Sequence, residues 1–218
     1  FPVLNTIFEK IYGESPYKSP TDMGVNMAGN CICDDEACRE ASKQEIIRRY
    51  FDALNALAKG STSEKEAQKI ELLMNMAGIT VTDRKVVIKA LERAKETDGP
   101  AAALELRDGR IITGKTTNLL GASAALLLNV LKVLAGIDHE THIISPESIE
   151  PIQKLKVDYL KSKNPRLHTD EVLIALSASA ATNPQARLAL SQLPELAGCQ
   201  AHTSVMLSDV DIKIFKKL

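Results

Sequence analysis

Apolar residues recur at the spacing of an amphipathic helix in three consecutive segments of the first half of the chain. Each segment begins near a residue that favours helix caps and ends near a glycine. The predicted helices run from Asp34 or Asp35 to about Ala58, from Ser63 to Gly78, and from Thr82 to Asp98. We therefore expect a helical subdomain over residues 34–98.

Residues 1–33 are predicted to form a short helix, a long polar loop and a strand. Ser-Pro pairs and glycines interrupt the periodic pattern in the middle of this range and indicate an irregular loop. Polar loops of this length commonly carry binding residues, although the loop's own hydrogen bonds are an alternative use of the same side chains. The candidate binding residues of the loop are Thr21, Asp22 and Asn26.

Strand patterns alternate with helical patterns after Pro100. Alternating residues on both sides of Asp108-Gly109 predict a hairpin with strands at 101–107 and 110–114, and a helix over 117–135 follows. The remaining predictions are a strand at His142–Ser145, helices from Pro151, Thr169 and Asn183, a strand at Ala201–Leu207, and a last helix capped by Ser208. We expect residues 99–218 to form an α/β subdomain in which helices cover a sheet, within a mixed α+β chain.

The segment Gly109–Thr116 matches the phosphate-binding pattern G-x-x-x-x-G-K-[ST], and three interpretations stay open. In the first, it is a P-loop and ATP is the cofactor. In the second, Gly114, Lys115 and Thr116 form a simpler anion site, because Thr116 or Thr117 opens a helix whose N-terminus attracts negative charge. In the third, the match is a structural hairpin, because its β-branched interior favours a strand over the left-handed angles of a P-loop.

Composition excludes several classes of partner. The chain has 27 basic and 28 acidic residues and 4% aromatic residues, so it offers neither a basic surface nor a stacking platform for nucleic acid. No apolar run reaches the roughly 18 residues of a membrane span.

Phe1 is not an initiator methionine, no signal-peptide pattern follows it, and Leu218 lies in a predicted helix. We expect a piece of a larger cytoplasmic protein.

The cysteine and histidine spacings do not predict a metal site. Cys31 and Cys33 on one strand would point to opposite faces. The sequence His139-Glu140-Thr141-His142 is one residue short of the zinc-protease pattern H-E-x-x-H. We predict reduced thiols and no bound zinc, and no catalytic residue is identified.

Long strings of the sequence resemble a bacterial family known only as a domain of unknown function. The resemblance rests on Ser19–Met27, Asp34–Ala37, Ala41–Tyr50 and Thr113–Ser123. It implies that these residues are the C-terminal part of a longer protein whose N-terminal domain is missing here. It also implies a helical subdomain followed by a three-layer α/β subdomain of deaminase-like topology, with the last strand missing. Some family members bear the label "ATP-dependent peptidase", but the family offers no catalytic residues to carry over.

Two hypotheses of different classes follow from these observations. In the leading one, polar groups from 19–30 and 113–117 bind a small molecule that bears a phosphate. In the alternative, the chain is a non-catalytic scaffold whose partners are further copies of itself and the missing N-terminal domain. Nucleotide binding through Gly109–Thr116 is a second alternative. A ligand site predicts that Asp22, Asn26 and Lys115 converge in one cleft.

Overall fold

The computed structural model describes residues 2–16 and 34–218. Its contacts divide the chain into two compact units, Phe1–Asp83 and Arg84–Leu218. The helices are α1 (Pro2–Tyr12), α2 (Asp35–Ala58), α3 (Glu64–Ala77), α4 (Lys85–Thr97), α5 (Ala122–Leu134), α6 (Pro146–Lys154), α7 (Thr169–Ser179), α8 (Pro184–Leu190) and α9 (Asp209–Phe215). The strands are β1 (Ala101–Glu105), β2 (Ile111–Lys115) and β3 (Gln200–Thr203).

The first unit is helical and has a small core. Asp34 caps α2 as predicted, because its Oδ1 accepts a hydrogen bond from the Ala37 amide at 2.9 Å. Gly78 ends α3 in the left-handed conformation. The buried side chains between the two helices and the turn after them are Ile47, Met74 and Ile79.

The second unit has three layers, which confirms helices on both faces of a sheet. The described strands form an antiparallel sheet in the order β2-β1-β3, so β1 is central. Ala103 of β1 packs with Val86 and Ala90 of α4, whereas Ala102 and Leu104 belong to the core formed with α5. Alternate β1 residues therefore face opposite helices.

Helix α4 joins the sheet, although the pattern places it in the helical subdomain. Val86 and Ala90 are fully buried and pack with Ala103 on one face of the sheet. The helix also begins at Lys85 and lacks the predicted Thr82 cap, because a 3-10 turn occupies Val81–Asp83. The mixed α and β class is confirmed. The boundaries at 33 and 98, the deaminase-like topology and the missing last strand stay predictions.

Several predicted elements of the second unit differ from the structure. The helix expected from Pro151 begins at Pro146, and the strand expected over Ala201–Leu207 is Gln200–Thr203. Residues 142–145 form no strand, because Ile143 and Ile144 are buried against the core without a ladder partner. The helix expected over 117–135 begins at Ala122. Thr117 Oγ1 accepts hydrogen bonds from the Leu119 and Leu120 amides, which makes a turn where the helix was expected.

Candidate functional site

The segment Gly109–Thr116 is a β-hairpin arm and its turn, as the third interpretation predicts. Ile111–Lys115 pairs with β1 in antiparallel register, with Ala101 opposite Lys115. The Leu106 amide donates to the Arg110 carbonyl at 2.9 Å, which leaves a three-residue loop with Gly109 at φ 82°. The P-loop interpretation is wrong, because backbone groups that would wrap a phosphate belong to a strand.

Gly114 is explained by packing against α5. A Cβ placed on Gly114 would lie 2.2 Å from the backbone nitrogen of Leu126 and 2.5 Å from its Cα. The absence of a side chain lets α5 lie directly on β2, and the Asn129 amide nitrogen then reaches the Thr113 carbonyl at 2.9 Å. The second glycine of the motif is therefore a helix–strand contact rather than a ligand contact.

Lys115 and Thr116 do not lie at a helix N-terminus, so the second interpretation is wrong in that respect. The Thr116 amide donates to the Pro100 carbonyl at 2.9 Å, and α5 begins only at Ala122. Lys115 is exposed at the end of β2, and its ammonium has no ion pair within residues 2–16 and 34–218. It does line a cleft.

The cleft runs along the outer edge of β2 and has a volume of about 520 Å³. It is bounded by β2, α5 and the segment 139–149, and Arg93 of α4 also lines it. Eleven of its twenty lining residues are aliphatic or proline and five are arginine, lysine or histidine, whereas no lining residue in the described chain is aspartate or glutamate. This lining favours an anionic ligand with an apolar part.

Backbone donors of β2 also face the edge. The Thr116–Pro100 and Leu106–Arg110 hydrogen bonds fix the ladder, so residues 112 and 114 bond to β1. The amides of Thr113 and Lys115 therefore point away from β1, towards the outer edge. They add directed donors beside the Lys115 ammonium.

Arg93 is the side chain of the cleft whose hydrogen bonding is incomplete. Its Nη1 pairs with Glu96 at 3.1 Å on the surface. Its Nε is buried and has no hydrogen-bond partner among the described residues. A buried guanidinium donor without a partner calls for an explanation, and Arg93 also adds positive charge to the lining of the cleft.

Lys132 fixes the wall of the cleft that carries the histidines. Its ammonium donates to the backbone carbonyls of His139 and, at 3.0 Å, Thr141. Burial lowers the pKa of Lys132, and the nearby Glu140 and Asp138 oppose that change. Because its hydrogen bonds are used on the backbone, Lys132 holds the segment 139–142 in place, and His142 stays exposed on it.

A second polar cluster lies where α7 and α9 begin, and sequence patterns did not indicate it. The buried Asp211 carboxylate accepts hydrogen bonds from the Thr169 amide at 3.0 Å, the Thr169 hydroxyl at 2.8 Å and the Ser208 hydroxyl at 2.8 Å. His168 Nδ1 lies 3.1 Å from the same carboxylate. Burial raises the pKa of Asp211, but these hydrogen bonds outweigh burial and the net pKa lies below its ordinary value.

The sequence predicted the Ser208 cap at the start of α9 but no role for Asp211. That cap forms, since the Ser208 hydroxyl accepts from the Asp211 amide at 3.2 Å. The partners Thr169 and His168 lie more than forty positions away. A carboxylate three residues after a serine cap was the one available signal, and it does not reveal a long-range partner.

The loop candidates Thr21, Asp22 and Asn26 lie outside the described residues, as do Cys31 and Cys33. Their predicted convergence with Lys115 stays a prediction. No group of three or more potential metal ligands occurs among residues 2–16 and 34–218, and the absence of zinc also stays a prediction. In the same part of the chain, no helix has the length and apolar character needed to cross a membrane.

Comparison with known proteins gives the family. Residues 82–218 match the C-terminal part of the domain of unknown function DUF1846, and residues 1–78 match its N-terminal part. The chain belongs to the DUF1846 family. The expectation that only the C-terminal part is present is therefore wrong, because the N-terminal family model also matches.

The relatives are UPF0371 proteins. The chain is 58% identical to one from Corynebacterium urealyticum, 59% to one from Corynebacterium aurimucosum and 53% to one from Streptococcus thermophilus. Each match covers 100% of this chain and 44% of the relative. The chain thus spans less than half the length of these relatives, and the name UPF0371 assigns no activity.

Proposed function

We propose that the cleft along β2 binds a small anionic molecule through its phosphate or carboxylate group. The observation that carries the proposal is the charge of the lining, which has Arg93, Lys115 and three further basic residues but no carboxylate in the described chain. Lys115 supplies a point charge, and the Thr113 and Lys115 amides supply directed donors. Arg93 adds a second positive charge to the lining, and its Nε has no acceptor among the described residues.

The ligand site differs from a nucleotide site in two respects. Gly114 lies in β2 and packs on α5, so Gly109–Thr116 does not have the loop conformation that wraps a triphosphate. No lining residue in the described chain is Phe, Tyr or Trp, so a base has no aromatic ring on which to stack. We expect no strong response to ATP. The loop residues Thr21, Asp22 and Asn26 remain proposed ligands from outside the described residues.

Nuclear magnetic resonance tests the proposal directly. We expect inorganic phosphate to cause saturable shifts of the Thr113 and Lys115 amides and of the Arg93 Nε–H signal, which Arg93→Lys identifies. Lys115→Ala should weaken binding by about 1.5–3 kcal/mol, the value of a hydrogen bond to a charged group. Lys163→Ala, at an exposed lysine outside the cleft, is the matched control.

Shifts spread evenly over exposed lysines, or equal affinities for wild type and Lys115→Ala, would contradict the proposal. A clear ATP-dependent thermal shift that Lys115→Ala abolishes would instead revive the nucleotide alternative. Phosphate and ATP are each titrated into wild type, Lys115→Ala and Lys163→Ala, so these outcomes can be told apart.

A homo-oligomeric scaffold remains the second candidate, and exposed apolar side chains favour it. Leu72, Leu73 and Met76 of α3 are 60%, 48% and 76% exposed. Side chains of this type in one helix commonly mark a protein contact. Sedimentation at several concentrations tests it, and a monomer across the whole range would exclude it.

We also propose a cytoplasmic location. Cys38 and Cys199 are free thiols in the described chain. Burial raises the pKa of Cys199, which keeps it in the unreactive thiol form. Free thiols suit a reducing compartment.

A further inference from the structure

We infer that the ligand of the β2 cleft is an anion with an unbranched aliphatic body, such as an alkanoate or an alkyl phosphate. The inference rests on the proposed anion site and adds the chemical class of the rest of the molecule. Its basis is the kind of side chain that lines the cleft beyond the basic residues.

The wall of the cleft is aliphatic on three sides. Ile111 and Ile112 contribute from β2, Leu128 and Val133 from α5, and Ile144 and Ile149 from the segment 139–149. These residues contact a ligand mainly through methyl and methylene groups. The affinity for an apolar ligand therefore rises with the apolar surface that it buries. The volume of about 520 Å³ lies in the range of small-molecule sites.

A sugar body fits this wall poorly. Hydroxyl groups need several directed polar partners, and two of the polar lining groups are already engaged within the protein. Asn129 Nδ2 donates to the Thr113 carbonyl, and Thr117 Oγ1 accepts from two backbone amides. A ligand with many hydroxyl groups would leave them unpaired in an apolar cleft, which costs binding.

An extended peptide also fits poorly, although β2 is at the edge of the sheet that the described strands form. A fourth strand would need the Thr113 carbonyl as an acceptor, and Asn129 occupies that carbonyl at 2.9 Å. This hydrogen bond prevents an added strand from pairing with β2 at the Thr113 carbonyl. The amides of Thr113 and Lys115 still point away from β1. An anionic group with two or three acceptor oxygens can use those amides without a ladder.

A chain-length series tests the inference. Butanoate, hexanoate, octanoate and decanoate are titrated below their aggregation concentrations, together with the corresponding alkyl phosphates and alkanols. Each buried methylene should raise the affinity about fourfold, until the cleft is filled. Lys115→Ala should weaken every anion about tenfold or more and leave the increment per methylene unchanged.

A matched pair of valine variants locates the chain. Val133 lines the cleft and is 37% exposed, and Val210 lies outside it and is 41% exposed, so both tolerate replacement by threonine. Val133→Thr should lower the affinity for octanoate severalfold and the affinity for butanoate by less. Val210→Thr should change neither affinity.

The outcomes separate the two proposals. If phosphate and butanoate bind with Lys115 dependence but affinity does not rise with chain length, the anion site stands and the aliphatic inference is overturned. If no anion binds in a Lys115-dependent manner, both fail. If alkanols bind as tightly as alkanoates of equal length, the basic residues play no part, and the inference of an anionic amphiphile is overturned.

Discussion

The β2 cleft and the Asp211 cluster both gather polar groups in the 84–218 unit, but the protein satisfies only one of them. Asp211 accepts hydrogen bonds from Thr169 and Ser208 and lies beside His168, and it is buried. In the cleft, Arg93 Nε is buried with no acceptor within the described residues, and Lys115 has no ion pair there.

This difference separates structural from functional use of polar groups. A carboxylate with a full set of donors fastens the start of α9 to the start of α7, so it stabilises the fold. An exposed basic group such as Lys115, which has no ion pair among the described residues, contributes little to folding and remains available to a ligand. Substitutions in the two regions should therefore affect different measurements.

The largest effect is expected for Gly114→Ala, which tests whether this glycine serves packing. Its new Cβ would lie 2.2 Å from a backbone atom of α5, which cannot move without shifting the helix. We expect a loss of at least about 3 kcal/mol in the free energy of unfolding, measured with denaturant.

Gly121→Ala is the control for that experiment. Gly121 has an ordinary φ of −68°, and the nearest atom to an added Cβ is 3.6 Å away, so its stability should change by less than about 1 kcal/mol. Equal stabilities for Gly114→Ala and wild type would show that α5 does not lie on β2 as closely as the structure has it.

A smaller loss is expected for Asp211→Asn, on the satisfied side of the comparison. Asparagine keeps the shape of the side chain but loses the charge and one acceptor oxygen, so at least one of the donors from Thr169, Ser208 and His168 is left unpaired. The expected destabilisation is about 2 kcal/mol at pH 7. Replacement of the exposed Asp158 by asparagine should cost less than about 0.5 kcal/mol. Similar losses for the two variants would contradict a structural role for the cluster.

His202 sharpens the comparison because the fold disfavours a positive charge on its ring, whereas it stabilises the negative charge of Asp211. Burial, with Arg84 nearby, lowers the pKa of His202 from 6.5 to about 4. Between these values the unfolded chain binds a proton that the folded chain does not, so stability is present above pH 6.5 and is lost as the pH falls towards 4.

The expected size of this pH effect is on the order of 1 kcal/mol between pH 7 and pH 5, after allowance for partial exposure of the ring. His202→Gln should remove that part of the pH dependence while other groups keep theirs. Denaturant unfolding of both proteins at the two pH values measures it. The same loss of stability on acidification in wild type and variant would show that His202 does not cause it.

Local patterns predicted the fold better than they predicted the site. The Asp34 cap and the hairpin around Gly109 depend on residues that are neighbours in sequence, and both formed as expected. The position of α4 on the sheet and the Asn129–Thr113 bond depend on contacts that no local pattern encodes. The motif match in 109–116 was misleading because a turn glycine and a packing glycine happen to have P-loop spacing.

The smallest expected effect is that of Lys115→Ala on stability. Lys115 is exposed and has no ion pair in the described chain, so its removal should change the free energy of unfolding by less than about 0.5 kcal/mol. The same variant is expected to lose about 1.5–3 kcal/mol of anion binding, since a ligand would supply the ion-pair partner that the described residues do not. Thermal unfolding with and without inorganic phosphate measures both quantities in one experiment. A stability loss as large as that of Asp211→Asn would place Lys115 among the structural groups and remove the distinction between the two regions.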